Sequence, residues 1–239
     1  MPRVGMGPIR REQIRRAAMT LIADAGFDRT TLRDVALAAG VSTGMINHYY
    51  PNKIALLMDA LVAASEWFQE EIRVSMARAK PGADRFRTLV SVGVFNNSHE
   101  ARVGRKIWAW ALAESIRSDE LSQVIQERRR LFQEIIAEVL RQFDANAAIG
   151  EADLRELAAE CDSYFNGLAI HLATGALNLS PDAATTSLLA VVTSRLRSES
   201  AGGSRRLSGH YGHHSTNASA LVKTGQLTRR SRSGKANRI

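Results

Sequence analysis

The chain has 239 residues, a formal charge of +8 and an isoelectric point near 10.2, and 45% of its residues are hydrophobic, enough to build a real core. Its longest uninterrupted apolar stretch, Ile107 to Ala113, has seven residues, against the ~20 a helix needs to cross a bilayer, so no membrane partner is expected. The opening run Met-Pro-Arg-Val-Gly-Met-Gly-Pro-Ile-Arg-Arg lacks the apolar core of a secretory signal, the single Cys161 leaves no intramolecular disulfide framework, and a cytoplasmic location is the expectation.

Residues 1–9 precede the first periodic element and are expected to form a flexible arm. From there Ile14, Ala17, Ala18, Leu21, Ile22 and Ala25 fall on one helical stripe, which predicts an amphipathic helix over 10–26. Gly26 supplies the left-handed backbone that closes a helix, and Phe27 folds back onto its end. Thr31 then caps a second helix, and Asp34, three residues on, places a carboxylate in the first turn where the helix dipole favours it. Leu32, Val35, Ala36 and Ala39 are its buried stripe; Gly40 ends it, Val41 plugs the turn, and Ser42 caps a third, short helix reaching about Tyr49. Pro51, its ring preset for a first helical turn, opens a long fourth helix on which Ile54, Leu57, Met58, Leu61, Val62 and Phe68 repeat at helical spacing.

That fourth helix is expected to join a head, residues 10–55, to a body, residues 56–198. Beyond the Lys80-Pro81-Gly82 break, helical stretches are predicted at about 84–97, 100–116, 118–143, 151–176 and 182–197, and no stretch alternates with period two long enough to argue a sheet. The expected fold class is all-α: a three-helix head on a helical-bundle body, about nine helices in all. Residues 199–239 hold eight Lys and Arg against one acid, so residues 1–198 net only +1, with +3 on residues 1–60 and −2 on 61–198. Most of the basicity is therefore tail. From Glu199 onward, Ser, Gly, Arg, His and Thr bury too little surface to offset the entropy of ordering, and a disordered basic tail is expected over 199–239. It reads as a basic arm adding nonspecific DNA affinity, as an inert extension, or as an altered reading frame. His210, His213 and His214 within it are too flexible a cluster for a designed metal site.

A capped helix, an Ala39-Gly40-Val41 turn and a second short capped helix have the spacing of a helix-turn-helix, in which one helix buttresses while the next enters the major groove. The run Thr31-Leu-Arg-Asp-Val-Ala-Leu-Ala-Ala-Gly-Val-Ser-Thr-Gly-Met-Ile-Asn-His-Tyr-Tyr-Pro-Asn-Lys53 closely resembles the DNA-binding signature of the TetR family, strongly over residues 10–62 and in architecture beyond them. Within the family, the opening run and Val-Ser-Thr-Gly-Met-Ile-Asn-His-Tyr-Tyr resemble the subgroup of the choline-responsive repressor of betaine synthesis. Ser42, Thr43 and Gly44 fill the first turn of the recognition helix, where free N–H groups and the positive dipole end attract phosphate, and Gly44 permits close approach. Thr43, Asn47 and His48 are the polar groups able to reach base edges: Asn pairs with adenine, Thr offers a methyl to thymine, and a neutral His donates or accepts. By the resemblance, Thr31, Tyr49 and Lys53 occupy positions that grip the phosphate backbone, with Arg33 and Arg11 as additions. Thr31 and Ser42 are helix caps whether or not DNA is bound, Met45 and Ile46 are alternatives for the buried face with Ile46 favoured as core, Tyr50 is favoured as an aromatic lid, and His48 taken alone is an ordinary surface histidine.

The resemblance also implies a body that binds a small molecule and dimerises through its last two helices, the ligand changing the separation of two heads on a palindromic operator. Leu154, Leu157, Ala158, Leu168, Leu172, Leu188, Leu189 and Val192 offer an apolar face for that role, with ordinary intrachain core as the equal alternative. Pocket candidates are the polar and aromatic groups that interrupt apolar stretches: Asn96, Asn97, Trp108, Trp110, Glu114, Cys161, Tyr164, Asn166 and His171. Trp108 and Trp110 cannot share a helix face, so one of them is expected to line a cavity. The choline-like resemblance implies that Trp and Tyr rings with Glu114 cage a quaternary ammonium; for each residue, packing or simple solvation is the plainer alternative.

No P-loop, dinucleotide glycine pattern, zinc spacing or serine elbow is present, so no catalytic residue, cofactor or metal is expected and the chain is not read as an enzyme. The expected function is a homodimeric, sequence-specific regulator, a repressor, released from its double-stranded operator by a small-molecule effector. The rival is an architectural DNA-binding protein without an effector, which explains a basic tail but not the helical body.

Overall fold

The computed structural model describes residues 6–143 and 149–201, with side chains to Arg197, and among these residues there are nine helices and no strand. The helices are α1 (Met6–Ala25), α2 (Leu32–Ala38), α3 (Thr43–Tyr49), α4 (Lys53–Arg78), α5 (Ala83–Gly93), α6 (His99–Ser115), α7 (Asp119–Arg141), α8 (Glu151–Thr174) and α9 (Pro181–Ala201). The all-α class and the element order agree with the periodicity.

Several ends differ, each for a local reason. Residues 6–9, expected in a flexible arm, form the first turn of α1. Pro8 is tolerated there because a first-turn N–H has no helical partner to lose. Gly7 also lies against α3, where an added Cβ would stand 3.7 Å from the Tyr49 hydroxyl. α4 opens at Lys53 rather than Pro51, because Asn52 is the stronger cap: its Oδ1 accepts from the Ala55 N–H at 2.8 Å. α5 stops at Gly93, which leaves Asn96 and Asn97 in the connection to α6. α9 runs on to Ala201, three residues into the expected tail, since Glu199, Ser200 and Ala201 carry no helix breaker. Residues 1–5, 144–148 and 202–239, with the His210–His214 cluster, lie outside the described residues.

Two apolar clusters hold these helices. The first gathers Ile14, Ala18 and Ile22 of α1, Phe27 in the turn after it, Val35 of α2, Ile46 of α3 with Tyr50 at its C-cap, and Leu57 of α4, and continues into Ile107 and Ala111 of α6 and Leu121 of α7. At ~1.5–3 kcal/mol for each large side chain buried, the head draws a material share of its stability from helices of the body. The second cluster joins α5, α7, α8 and α9 through residues such as Phe86, Leu89, Phe132, Ile136, Leu157 and Leu188. Leu154, Leu157, Ala158, Leu168, Leu188 and Val192, offered above as a dimer face, are buried in it, and Leu172 and Leu189 pack against its edge. Helical spacing shows that such residues are covered, not by which chain.

Candidate nucleic-acid interface and ligand cavity

The head sets its exposed polar groups by two caps and a turn. The Asp34 N–H donates to Thr31 Oγ1 at 3.1 Å, the Thr31 N–H to Asp34 Oδ2 at 3.0 Å, and the Thr31 hydroxyl to the same carboxylate oxygen at 2.6 Å. The Thr31 hydroxyl and N–H hold the Asp34 carboxyl below its ordinary range. Gly40, at φ 63°, then reverses the chain, and the Val41 N–H reaches the Ala36 carbonyl at 3.0 Å. Ser42 Oγ accepts from the Met45 N–H at 3.2 Å, while Thr43 and Gly44 have no helical partner for their N–H groups. With Ile46 fully buried, the helix is locked so that Thr43, Gly44, Asn47 and His48 are exposed.

Arg33 is exposed on α2, and Tyr49 is half-buried with its ring edge-to-face to His48 at 5.2 Å. Lys53 Nζ donates to the Asp28 carbonyl at 3.2 Å and lies 4.2 Å from the centre of the Phe27 ring. It therefore clamps the corner between α1 and α2 as well as presenting charge. An added Cβ at Gly44 meets nothing nearer than Ser42 Oγ at 3.8 Å, so the fold does not require glycine there. Gly44→Ala is expected to raise stability by up to about 1 kcal/mol and, on the expectation that a phosphate approaches this turn, to weaken DNA binding; a thermal melt and a DNA titration of one preparation check both.

Asp59 on α4 escapes the sequence signals. It accepts the Tyr50 hydroxyl at Oδ2 (2.6 Å) and Arg11 at Oδ1 (2.7 Å), tying the end of α3 to α1 and α4. Burial, and then the bond to Asp59, pushes the Tyr50 phenol up to about 12, so it stays a neutral donor. Tyr50, 2% exposed, is the lid the sequence suggests, and Arg11 is engaged by Asp59.

Where the two apolar clusters meet, α4, α6, α7 and α8, with Val92 and Gly93 at the end of α5, surround a cavity of about 110 Å³. Leu61 and Phe68 of α4, Trp108 of α6, Phe132 of α7 and Phe165 of α8 give it apolar walls. Its charged groups are Arg105, Arg128, Arg129 and Asp162, and its neutral polar ones Ser65, Gln69 and Asn166. The Asp162 side chain, 1% exposed, accepts from Arg129 Nε at 2.9 Å, Gln133 Nε2 at 2.9 Å and Asn166 Nδ2 at 2.7 Å. Asn166 Oδ1 in turn accepts from Trp108 Nε1 at 2.7 Å. An indole N–H only donates and a carboxylate only accepts, so these neighbours fix which way the Asn166 amide points. Arg105 donates to the carbonyls of Val94 at 3.1 Å and Asn96 at 2.8 Å, and burial, with Arg102 nearby, pushes its pKa down. The Nε of Arg128 is buried with no hydrogen-bond partner.

Of the pocket residues expected from sequence, Trp108 and Asn166 line this cavity and the others do not. Trp110 faces the head: a Cβ added to Gly26, at the end of α1, would stand 2.7 Å from its Cζ2. Glu114 lies six residues beyond Trp108, which turns it ~120° around α6; it is 8% exposed and stands 3.9 Å from Arg117. Tyr164 packs against the second cluster. Asn96 is in the loop before α6, where its Oδ1 accepts from the Ser98 N–H at 2.9 Å, and Asn97 adjoins it. Cys161 is core, its thiol pushed up to about 12 by burial, and His171 is exposed. The cage of Trp, Tyr and Glu114 is thus not assembled. The three arginines, Asp162 and the phenylalanine walls are what sequence reasoning missed.

Residues 14–60 match the family model described as bacterial regulatory proteins, tetR family, and residues 82–197 that described as BetI-type transcriptional repressor, C-terminal. The HTH-type transcriptional regulator BetI of Yersinia pestis (strain Pestoides F) is 32% identical over 143 residues, 59% of this chain and 72% of that protein. The crystal structure of a transcriptional regulator from Rhodococcus sp. Rha1 superposes with a TM-score of 0.66 at 18% identity, covering 80% of this chain and 97% of its own. A Saccharomonospora viridis protein in complex with choline superposes with a TM-score of 0.66 at 21% identity, over 77% of this chain and 95% of its own. The chain belongs to the TetR family of bacterial DNA-binding transcriptional regulators, with a C-terminal domain similar to that of the BetI-type repressors.

Proposed function

We propose that this regulator represses transcription as a homodimer on a palindromic operator in the cytoplasm, and that a small molecule entering the cavity releases it. The observation that carries the reading is on α6: Trp108 forms cavity wall while Trp110, two residues on, packs against Gly26 at the end of α1. α4 makes a second rigid link, running from the Lys53 clamp to Phe68 in the wall. A ligand that prefers one placement of these helices biases the separation of the two recognition helices; a preference of about 1–3 kcal/mol suffices for a 5- to 150-fold change in affinity. For the dimer, the small exposed residues Ser163 and Gly167 on α8 and Ala183, Ala190 and Val191 on α9, the last 49% exposed, favour close helix approach. Thr43, Asn47 and His48 would read bases, while Thr31, Arg33, Ser42, Gly44, Tyr49 and Lys53 would hold phosphates.

Selection from random DNA followed by titration tests the assignment. One palindrome is expected to bind at least ~10³-fold more tightly than random duplex. Asn47→Ala or Thr43→Ala should relax sequence preference, and Lys53→Ala should weaken all DNA about equally and reduce the salt slope by about one. Equal affinity for palindrome and random DNA would leave only the architectural rival standing.

A further inference from the structure

We infer that the cavity takes an organic anion, a small monocarboxylate with an apolar body, rather than a quaternary ammonium ion. The inference rests on reading this cavity as the effector site. Its lining holds three guanidinium groups, Arg105, Arg128 and Arg129, against one carboxylate, Asp162, a formal excess of +2. That carboxylate is already committed, for it is almost fully buried and accepts three hydrogen bonds, one of them from Arg129. A cationic ligand would find aromatic rings at Trp108 and Phe132, but no free negative group in the lining to offset the two remaining cations.

Neither cation is in a hydrogen-bonded ion pair with a carboxylate among the described residues; Glu127, next to Arg128 in the chain, acts on it only through space and is itself bonded to Arg130. Arg105 meets only the neutral carbonyls of Val94 and Asn96, beside the like charge of Arg102. Arg128 is flanked at i±3 and i±4 by Val124, Ile125, Leu131 and Phe132, and its buried Nε donates to nothing. A charged donor held away from water without an acceptor is unfavourable, and a carboxylate is the group that best satisfies a planar guanidinium. The aromatic remainder of the wall suits the rest of the ligand. A dry cavity of about 150 Å³ admits benzene, so about 110 Å³ fits a body of at most one ring or a short alkyl chain.

The test uses the full chain, alone and on its operator, with sodium benzoate, sodium hexanoate, benzyl alcohol and choline chloride at about 10 mM and sodium chloride as the matched blank. Benzoate or hexanoate is expected to raise Tm by roughly 3 °C or more, whereas benzyl alcohol, the same ring without the charge, and choline are not. Arg128→Gln should remove that shift and Arg128→Lys retain part of it. A larger shift with choline, no shift with either carboxylate, or a carboxylate shift unchanged in both Arg128→Gln and Arg105→Gln would each overturn the inference. A choline shift that vanishes in Trp108→Leu would overturn the anion while keeping the cavity as effector site. A carboxylate shift without operator release would keep the anion and overturn release.

Discussion

Asp162→Ala is expected to lower stability by about 3 kcal/mol, a fall in Tm of roughly 6–12 °C for a chain of this size. The side chain is 1% exposed and accepts from Arg129, Gln133 and Asn166, so its removal strands three donors together. Breaking a buried ion pair costs about 3–5 kcal/mol; the low end applies because the Arg129 side chain is 39% exposed and can turn to water. The loss also reaches the cavity wall, because Asn166 is held by Asp162 and itself holds the Trp108 indole at 2.7 Å. Asp162→Asn keeps the shape and one acceptor, and should cost about half as much. A melt of Asp162→Ala within 1 kcal/mol of the parent would mean that this network does not hold the wall. The same pair of variants separates the two effector chemistries: removing the one carboxylate that the described residues place in the lining should strengthen carboxylate binding and would abolish any binding of choline that depended on it.

What the sequence shows plainly is local. The caps at Thr31 and Ser42 act on N–H groups three residues away, and Gly26 and Gly40 take the positive φ that their places after periodic stripes demand. Ends go astray where two signals compete, as Pro51 and Asn52 do before α4. The recognition helix is legible for the same reason: one buried residue, Ile46, fixes which neighbours face outward. The cavity is not local, since its wall comes from five helices and runs from Leu61 to Ala169, and polarity within an apolar run marks it less well than a charge with no opposite charge at helical spacing. Arg130 has Glu127 and Glu134 at i−3 and i+4 and pairs with both on the surface, whereas Arg128 has only apolar residues at those spacings and lines the cavity. That contrast is readable in the sequence and is the signal to use. The two tryptophans show the limit of periodicity, which places them on different faces without saying which face meets the cavity and which the head.

Gly26→Ala is expected to cost about 2–5 kcal/mol, and its interest lies in how that cost divides. The residue has φ 90°, where a side chain costs about 1–2 kcal/mol whatever surrounds it. The added Cβ would also stand 3.2 Å from Trp110 Cη2 and 2.7 Å from its Cζ2, the latter closer than real Cβ contacts come, so the ring or α6 beneath it must move, for a further 1–3 kcal/mol or so. In a Trp110→Leu background the second part should vanish and the first remain, so the double-mutant cycle should give a coupling of about 1–3 kcal/mol. The displaced ring is two residues from Trp108 in the cavity wall. A strain applied at Gly26 therefore pushes on the same helix as a ligand would, from a different face. Operator affinity and ligand-induced release in Gly26→Ala, measured well below its Tm, should both change although α3 is untouched. A coupling energy near zero between positions 26 and 110, or a Gly26→Ala protein with unaltered release, would remove α6 as the link between cavity and head.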